Sequence, residues 1–185
     1  MTYIHYGHTE LHPEWLTGVK NRSPFCDVKP DPKTAIWASP KYAKHGWKDW
    51  CEEEQFKTGS LDEHFTFELS DEAKILLIDS EESMHELQPF LTVHPALAEL
   101  DKSDISEILK EARKTGFGQM LRLDFEKMAK AGFDGMEISI SKYPQLYWFL
   151  YSWDVDSICI WNPKVIIMTG SSDEMVQHEI NMEVR

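Results

Sequence analysis

Apolar and polar positions along the chain fall into short runs, and most of the runs predict strands. Tyr3-Ile4-His5-Tyr6 is aromatic and β-branched, stops at Gly7, and predicts a first strand. Ala35-Ile36-Trp37-Ala38-Ser39 predicts a second, cut off by Pro40, and Phe65-Thr66-Phe67-Glu68-Leu69 alternates as a half-buried strand does. Ala73 to Ile78 is nearly continuous in apolar residues and predicts a buried strand ending at Asp79. Met136 to Ser141 alternates again. Ser157-Ile158-Cys159-Ile160 is short and apolar, so it predicts a buried strand. Asn162-Pro163 then supplies a turn before Val165-Ile166-Ile167 starts another.

Helical spacing appears between these runs. Trp47 and Trp50, three apart, would share one helix face, with Tyr42 and Phe56 nearby. Aromatics so spaced most commonly pack into a core. Ser80 is placed to cap a helix reaching Leu91. Asp104 and Glu107 form a capping-box pattern ahead of Ile105, Ile108, Leu109 and Ala112, a run that stops by Gly116. Asp124 caps Phe125 to Ala131, with Gly132 at the C-terminal end. Leu146 to Tyr151 fits helix or strand. Residues 17–34 carry Gly18, Pro24, Pro30 and Pro32 and predict loop, while Met175 to Val184 predicts a last strand or helix. With no repeat or linker, the reading is one domain over 1–185, of the α+β class, with a mixed or antiparallel sheet and inserted helices.

Composition narrows this picture. The 185 residues suffice for one sizeable core, and 42% hydrophobic with 12% aromatic residues indicates a globular chain. A net charge of −13, from 32 acids against 19 bases, repels phosphate backbones and argues against broad nucleic-acid binding. It leaves room for a small ligand in a local pocket or a basic protein partner, although acidic surfaces also simply keep proteins soluble. There is no apolar run of membrane-spanning length, and the start Met1-Thr2-Tyr3-Ile4-His5-Tyr6 does not read as a signal peptide. Cys26, Cys51 and Cys159 are odd in number and far apart, which predicts free thiols and a reducing, cytoplasmic setting.

Two groups of side chains invite chemistry. His5, His8 and His12 are close in sequence, but their spacing suits a metal only on a helix, which Gly7 and Pro13 oppose; no metal is expected. Asp154 and Asp156 precede the Ser157 strand, and on an extended chain they would point to one face at a cleft mouth. The plainer reading is a pair of solvated loop acids.

Five short motifs in one order then carry a resemblance: His5-Tyr6-Gly7; Ile36-Trp37-Ala38-Ser39; Ala73 to Asp79; Gly132-Phe133-Asp134-Gly135-Met136; and Ile158 to Ile166 with its Trp161-Asn162-Pro163 ending. Together they resemble the ADP-ribosyltransferase fold, over roughly residues 3–167. The resemblance implies a split β-sheet and an enzyme that cleaves NAD, its co-substrate, at the nicotinamide–ribose bond. ADP-ribose then passes to a protein or other macromolecular acceptor, as in a toxin, phage factor or effector. It implies that His5 bonds the adenosine ribose, that the backbone near Tyr6 and Gly7 holds the nicotinamide amide, and that Trp37 stacks on nicotinamide. Ser39 would sit by the nicotinamide ribose, with Tyr42 or Trp47 as the opposite wall. The family's glutamate falls here on Ser157, so the transition-state carboxylate passes to Asp156, then Asp154, with Glu137 on the preceding strand in reserve. That mismatch keeps two further expectations open: a non-catalytic acidic inhibitor on the same fold, and an NAD glycohydrolase using water as acceptor.

Overall fold

In the computed structural model the runs read from the sequence become one mixed sheet with helices laid against it. The structure describes residues 1–16, 18–23, 26–92, 104–116 and 121–172, without the side chains of residues 15, 23, 26 and 27. The expected last element, Met175 to Val184, lies outside the described residues. The strands are β1 (Thr2–Tyr6), β2 (Asn21–Ser23), β3 (Cys26–Pro30), β4 (Ile36–Pro40), β5 (His64–Leu69), β6 (Ile75–Ile78), β7 (Gly135–Ile138), β8 (Ser157–Ile160) and β9 (Ile166–Ser171). Seven of them form a sheet in the order β6-β7-β8-β4-β1-β5-β9, and β2 pairs with β3 in a separate hairpin. Only β6 and β7 run parallel among these pairs. Their connection carries helices, so one crossover unit stands in a sequence that shows no βαβ rhythm.

The helices are α1 (Trp47–Glu53), α2 (Glu81–Met84), α3 (Ile105–Thr115), α4 (Phe125–Lys130) and α5 (Leu146–Phe149). The N-cap residues are those the sequence predicts, although Asp104 caps through Ser106 and not through Glu107 as a capping box would. Ser80 accepts from the Ser83 N–H, Asp104 from that of Ser106 and Asp124 from that of Lys127, satisfying donors that helix starts leave open. Gly116 closes α3 in the left-handed region at φ 76°, where other residues are strained. The helix expected from Ser80 is α-helical only to Met84; it continues as a 3₁₀ turn over His85–Phe90, which contains Pro89. Leu146 to Tyr151 resolves as the short α5.

Register sorts the side chains into two cores. Ile36, Ala38, Ile158 and Ile160 face one side of the sheet with Tyr3, Phe65, Phe67 and Val165. Leu76, Ile78, Met136, Ile138 and Cys159 face the other and meet residues of α2 to α5. All four residues of β8 are buried, which is why that strand reads as an unbroken apolar run. Cys51 and Cys159 are buried free thiols.

Residues 17–34 need correcting, because the expected loop contains the β2–β3 hairpin. Its prolines mask the strand signal, and distant groups hold it. The Asn21 amide donates to the Leu123 carbonyl at 2.6 Å and accepts from the Phe125 N–H at 3.1 Å, and the Trp153 indole donates to the Val28 carbonyl at 2.5 Å.

Gly135 on β7 marks the tightest point of the sheet. A Cβ there would lie 2.6 Å from the Cys159 carbonyl oxygen and 3.0 Å from Ile75 Cδ1. Because the nearest obstacle is backbone, Gly135→Ala should cost about 3 kcal/mol in urea unfolding, at the upper end for overpacking. A loss near zero would mean that β7 and β8 lie farther apart than described.

Candidate functional site

β1 and β4 are paired at Tyr3↔Pro40 and Ile4↔Ser39, while Ile36 to Ala38 pair with β8 instead. At this fork the Trp37 carbonyl receives His5 Nδ1 at 2.6 Å. A carbonyl only accepts, so Nδ1 carries the proton. The other ring nitrogen, Nε2, lies 3.0 Å from His8 Nδ1. Burial lowers the His5 pKa below the ordinary histidine value, with the Trp37 carbonyl opposing that shift and His8 adding to it. His5 is therefore neutral, Nε2 presents a lone pair, and His8 donates to it. The ring packs on Phe65 (4.8 Å), with the nearly coplanar His8 ring at its Nε2 edge.

Farther along the same face, Ala38, Ile158 and Glu137 are cross-strand neighbours on β4, β8 and β7, and His5 lies one residue past the last β1–β4 pair, Ile4↔Ser39. Glu137 is half-buried, and its Oε2 accepts the Tyr3 hydroxyl at 2.7 Å. Tyr3 reaches it across two intervening strands. Desolvation raises the Glu137 pKa; Asp156 and Asp79 raise it further, while the Tyr3 hydrogen bond and Lys142 hold it down. Lys142 in turn pairs with Asp79 at 2.9 Å. Burial and the Glu137 charge together push the Tyr3 hydroxyl upward, so it remains a donor.

Asp156 is buried rather than solvated, at 6% exposure. Its Oδ1 accepts from the Ser141 N–H at 2.9 Å and the Ser139 hydroxyl at 3.3 Å, and its Oδ2 from the Ser141 hydroxyl. Both oxygens thus fasten the turn after β7 to the start of β8. Asp154 is half-buried two residues earlier, outside the strand.

The other expected positions divide. Trp37 packs on the helix side of the sheet, 4.6 Å from Trp153 and with the Lys29 ammonium 5.4 Å from its centroid, whereas the His5 ring packs on Phe65 of the opposite core. The two meet through the Trp37 backbone, not as walls of one cleft. Ser39, 2% exposed, accepts the Trp47 N–H at 2.9 Å and so caps α1. Gly7, in the left-handed region at φ 99°, donates its N–H to the Glu63 carbonyl at 2.7 Å. Tyr6 lies near Asp49 and Glu52 of α1; burial first, and those charges second, raise its pKa. Tyr42 is 86% exposed, and Trp47 stacks on Trp50 instead of on the His5 side.

Sequence reasoning weighed His8 only as a metal ligand, and missed Tyr3, Asp79, Ser139, Ser141 and Lys142. Tyr3 alone carried a signal, sitting two residues before His5 on one strand face. The described residues contain no cluster of three or more His, Cys, Asp or Glu side chains able to hold a metal. No described helix is long and apolar enough to cross a membrane. No family model, curated protein or solved structure matches the chain.

The neutral state of His5 has a pH signature. Between its lowered folded pKa and the unfolded value, the unfolded chain binds a proton that the folded chain excludes. Its contribution is therefore fully present above the unfolded value and declines as pH falls through that window. From pH ~7.5 to ~5, wild type should lose more unfolding free energy than His5→Asn does. Parallel pH curves for the two proteins would contradict a neutral imidazole at the fork.

Proposed function

We propose that the chain is a mono-ADP-ribosyltransferase that binds NAD where β1 and β4 part. The observation that carries this reading is the neutral His5, its Nε2 lone pair at the fork, on the same sheet face as the half-buried Glu137 carboxyl. The Cα atoms of the Ala38–Ile158–Glu137 row span about 10 Å, two strand spacings. His8 Nδ1 marks the point where a ribose hydroxyl would donate to His5.

In the proposed reaction the bond from ribose C1′ to the nicotinamide nitrogen breaks, and nicotinamide leaves as a neutral ring with the electron pair. Positive charge develops on the ribose, which a fixed carboxylate stabilises. The acceptor's nucleophilic atom then bonds to C1′ and releases its proton. The order of motifs points first to Asp156, but its oxygens are engaged by Ser139 and Ser141, and it serves as an anchor. Glu137 keeps Oε1 outside its bond to Tyr3, so it is the better carboxylate. Trp37 acts through its carbonyl, which fixes the His5 tautomer, and not by stacking on nicotinamide. The engagement of Asp156 also favours a second reading, a catalytically silent acidic binder on this fold.

NAD should raise the melting temperature of wild type by binding the folded state, and His5→Ala should abolish that shift. Glu137→Gln should keep the shift but release nicotinamide about a hundredfold more slowly, the scale for losing one preorganised electrostatic contact. Asp156→Asn should lower stability more than turnover. Label from NAD recovered on an acceptor indicates transfer, and release to water alone indicates a glycohydrolase. No thermal shift and no nicotinamide release would leave the binder.

A further inference from the structure

α1 is amphipathic in an inverted sense. Of its seven residues only Cys51 is buried, while Trp47 and Trp50 remain half-exposed and stack on each other at 5.1 Å and 20°. Phe56, 41% exposed, sets its edge against both indoles at 6.1 and 5.5 Å. Among the described residues neither indole belongs to the two cores of the sheet. Large aromatic surface left partly wet commonly marks a binding face.

The charge around this face has one sign. From Trp47 to Glu54 the chain carries Asp49, Glu52, Glu53 and Glu54 against Lys48 alone. Asp49 is spent on the Gly46 N–H at 2.8 Å, whereas Glu52, Glu53 and Glu54 are exposed. The rings already attract cations, for the Lys57 ammonium lies 5.4 Å from the Phe56 centroid. Among the described residues Glu52 is held only by an exposed ion pair with Lys48 at 3.9 Å. Indole faces beside exposed carboxylates suit a guanidinium, which stacks flat on the ring while its N–H groups reach the acids. The face also adjoins the fork: Ser39 of β4 caps α1, and the charges of Asp49 and Glu52 reach Tyr6 at the end of β1.

We propose that the Trp47–Trp50–Phe56 face of α1 docks an arginine-rich protein segment. Such a segment is the acceptor of the transfer reaction, an assignment that rests on the function proposed above, whereas the docking itself does not. A cationic segment held on α1 presents its nucleophilic side chains to the fork a few residues away along β1.

Fluorescence anisotropy of a labelled arginine–glycine repeat peptide tests this without NAD. Wild type should bind it, and Trp50→Ala should weaken binding about tenfold, as expected for losing a desolvated cation–π contact. Glu52→Gln with Glu53→Gln should weaken it severalfold while leaving every ring in place. The charge-matched control Glu111→Gln with Glu126→Gln, on α3 and α4, should stay within about twofold, since screened distant charges contribute little. Should Trp50→Ala melt early, Phe56→Ala is read in its place. No binding, or equal weakening by the control pair, would overturn the docking face and leave only diffuse attraction to an acidic protein. Nicotinamide release from NAD in a cell lysate, measured above the release with Glu137→Gln, separates the two ideas: release with no peptide binding removes the docking face alone, and peptide binding with no such release removes the transfer reaction alone.

Discussion

The hydrogen bond from His5 Nδ1 to the Trp37 carbonyl is the constraint on which the rest of the arrangement depends. Where β1 and β4 stop pairing, each would otherwise carry backbone groups with no ladder partner into the interior, at a cost comparable to a lost hydrogen bond. A side chain fills the gap instead. Because its acceptor is a carbonyl, the bond selects one tautomer, and because the ring is half-buried, it disfavours the proton that would erase that choice. Sheet geometry thereby sets the chemistry of Nε2, with His8 beside it adding to the shift.

The same face gathers the acidic groups. Glu137, Asp156 and Asp79 lie close enough to raise the Glu137 pKa, and each has a separate restraint: Tyr3 for Glu137, Ser139 and Ser141 for Asp156, Lys142 for Asp79. Three acids at the ends of β6, β7 and β8 repel one another, and these donors offset that repulsion. The opposite face has a structural task. There Trp37 and Trp153 join the β2–β3 hairpin to the helices through the Val28 carbonyl and the Lys29 ammonium.

Local signals were legible and nonlocal ones were not. Ser80, Asp104 and Asp124 could be read as caps because a cap is settled within a few residues. The β8 run could be read because burial on both faces removes polar residues from it. The hairpin could not, since Asn21 and Trp153 hold it through partners more than a hundred residues away. Asp154 and Asp156 looked equivalent by spacing, and only the fold of the Ser139–Ser141 turn buries one of them. His5 and Trp37 are each prominent in their strands, but sequence cannot tell that the strands part between them. The Trp47–Trp50 pair obeyed its spacing and still left the core, because the inward position of α1 belongs to Cys51.

The fork is tested most directly by the nitrogen chemical shifts of the His5 ring, read by long-range ¹H–¹⁵N correlation and assigned with a His5→Gln variant. A protonated Nδ1 and an unprotonated Nε2 near neutral pH, with Nε2 shifting when NAD is added, is the predicted result. A proton on Nε2, or a fully protonated ring, would contradict the bond to Trp37 and with it the site built on that bond.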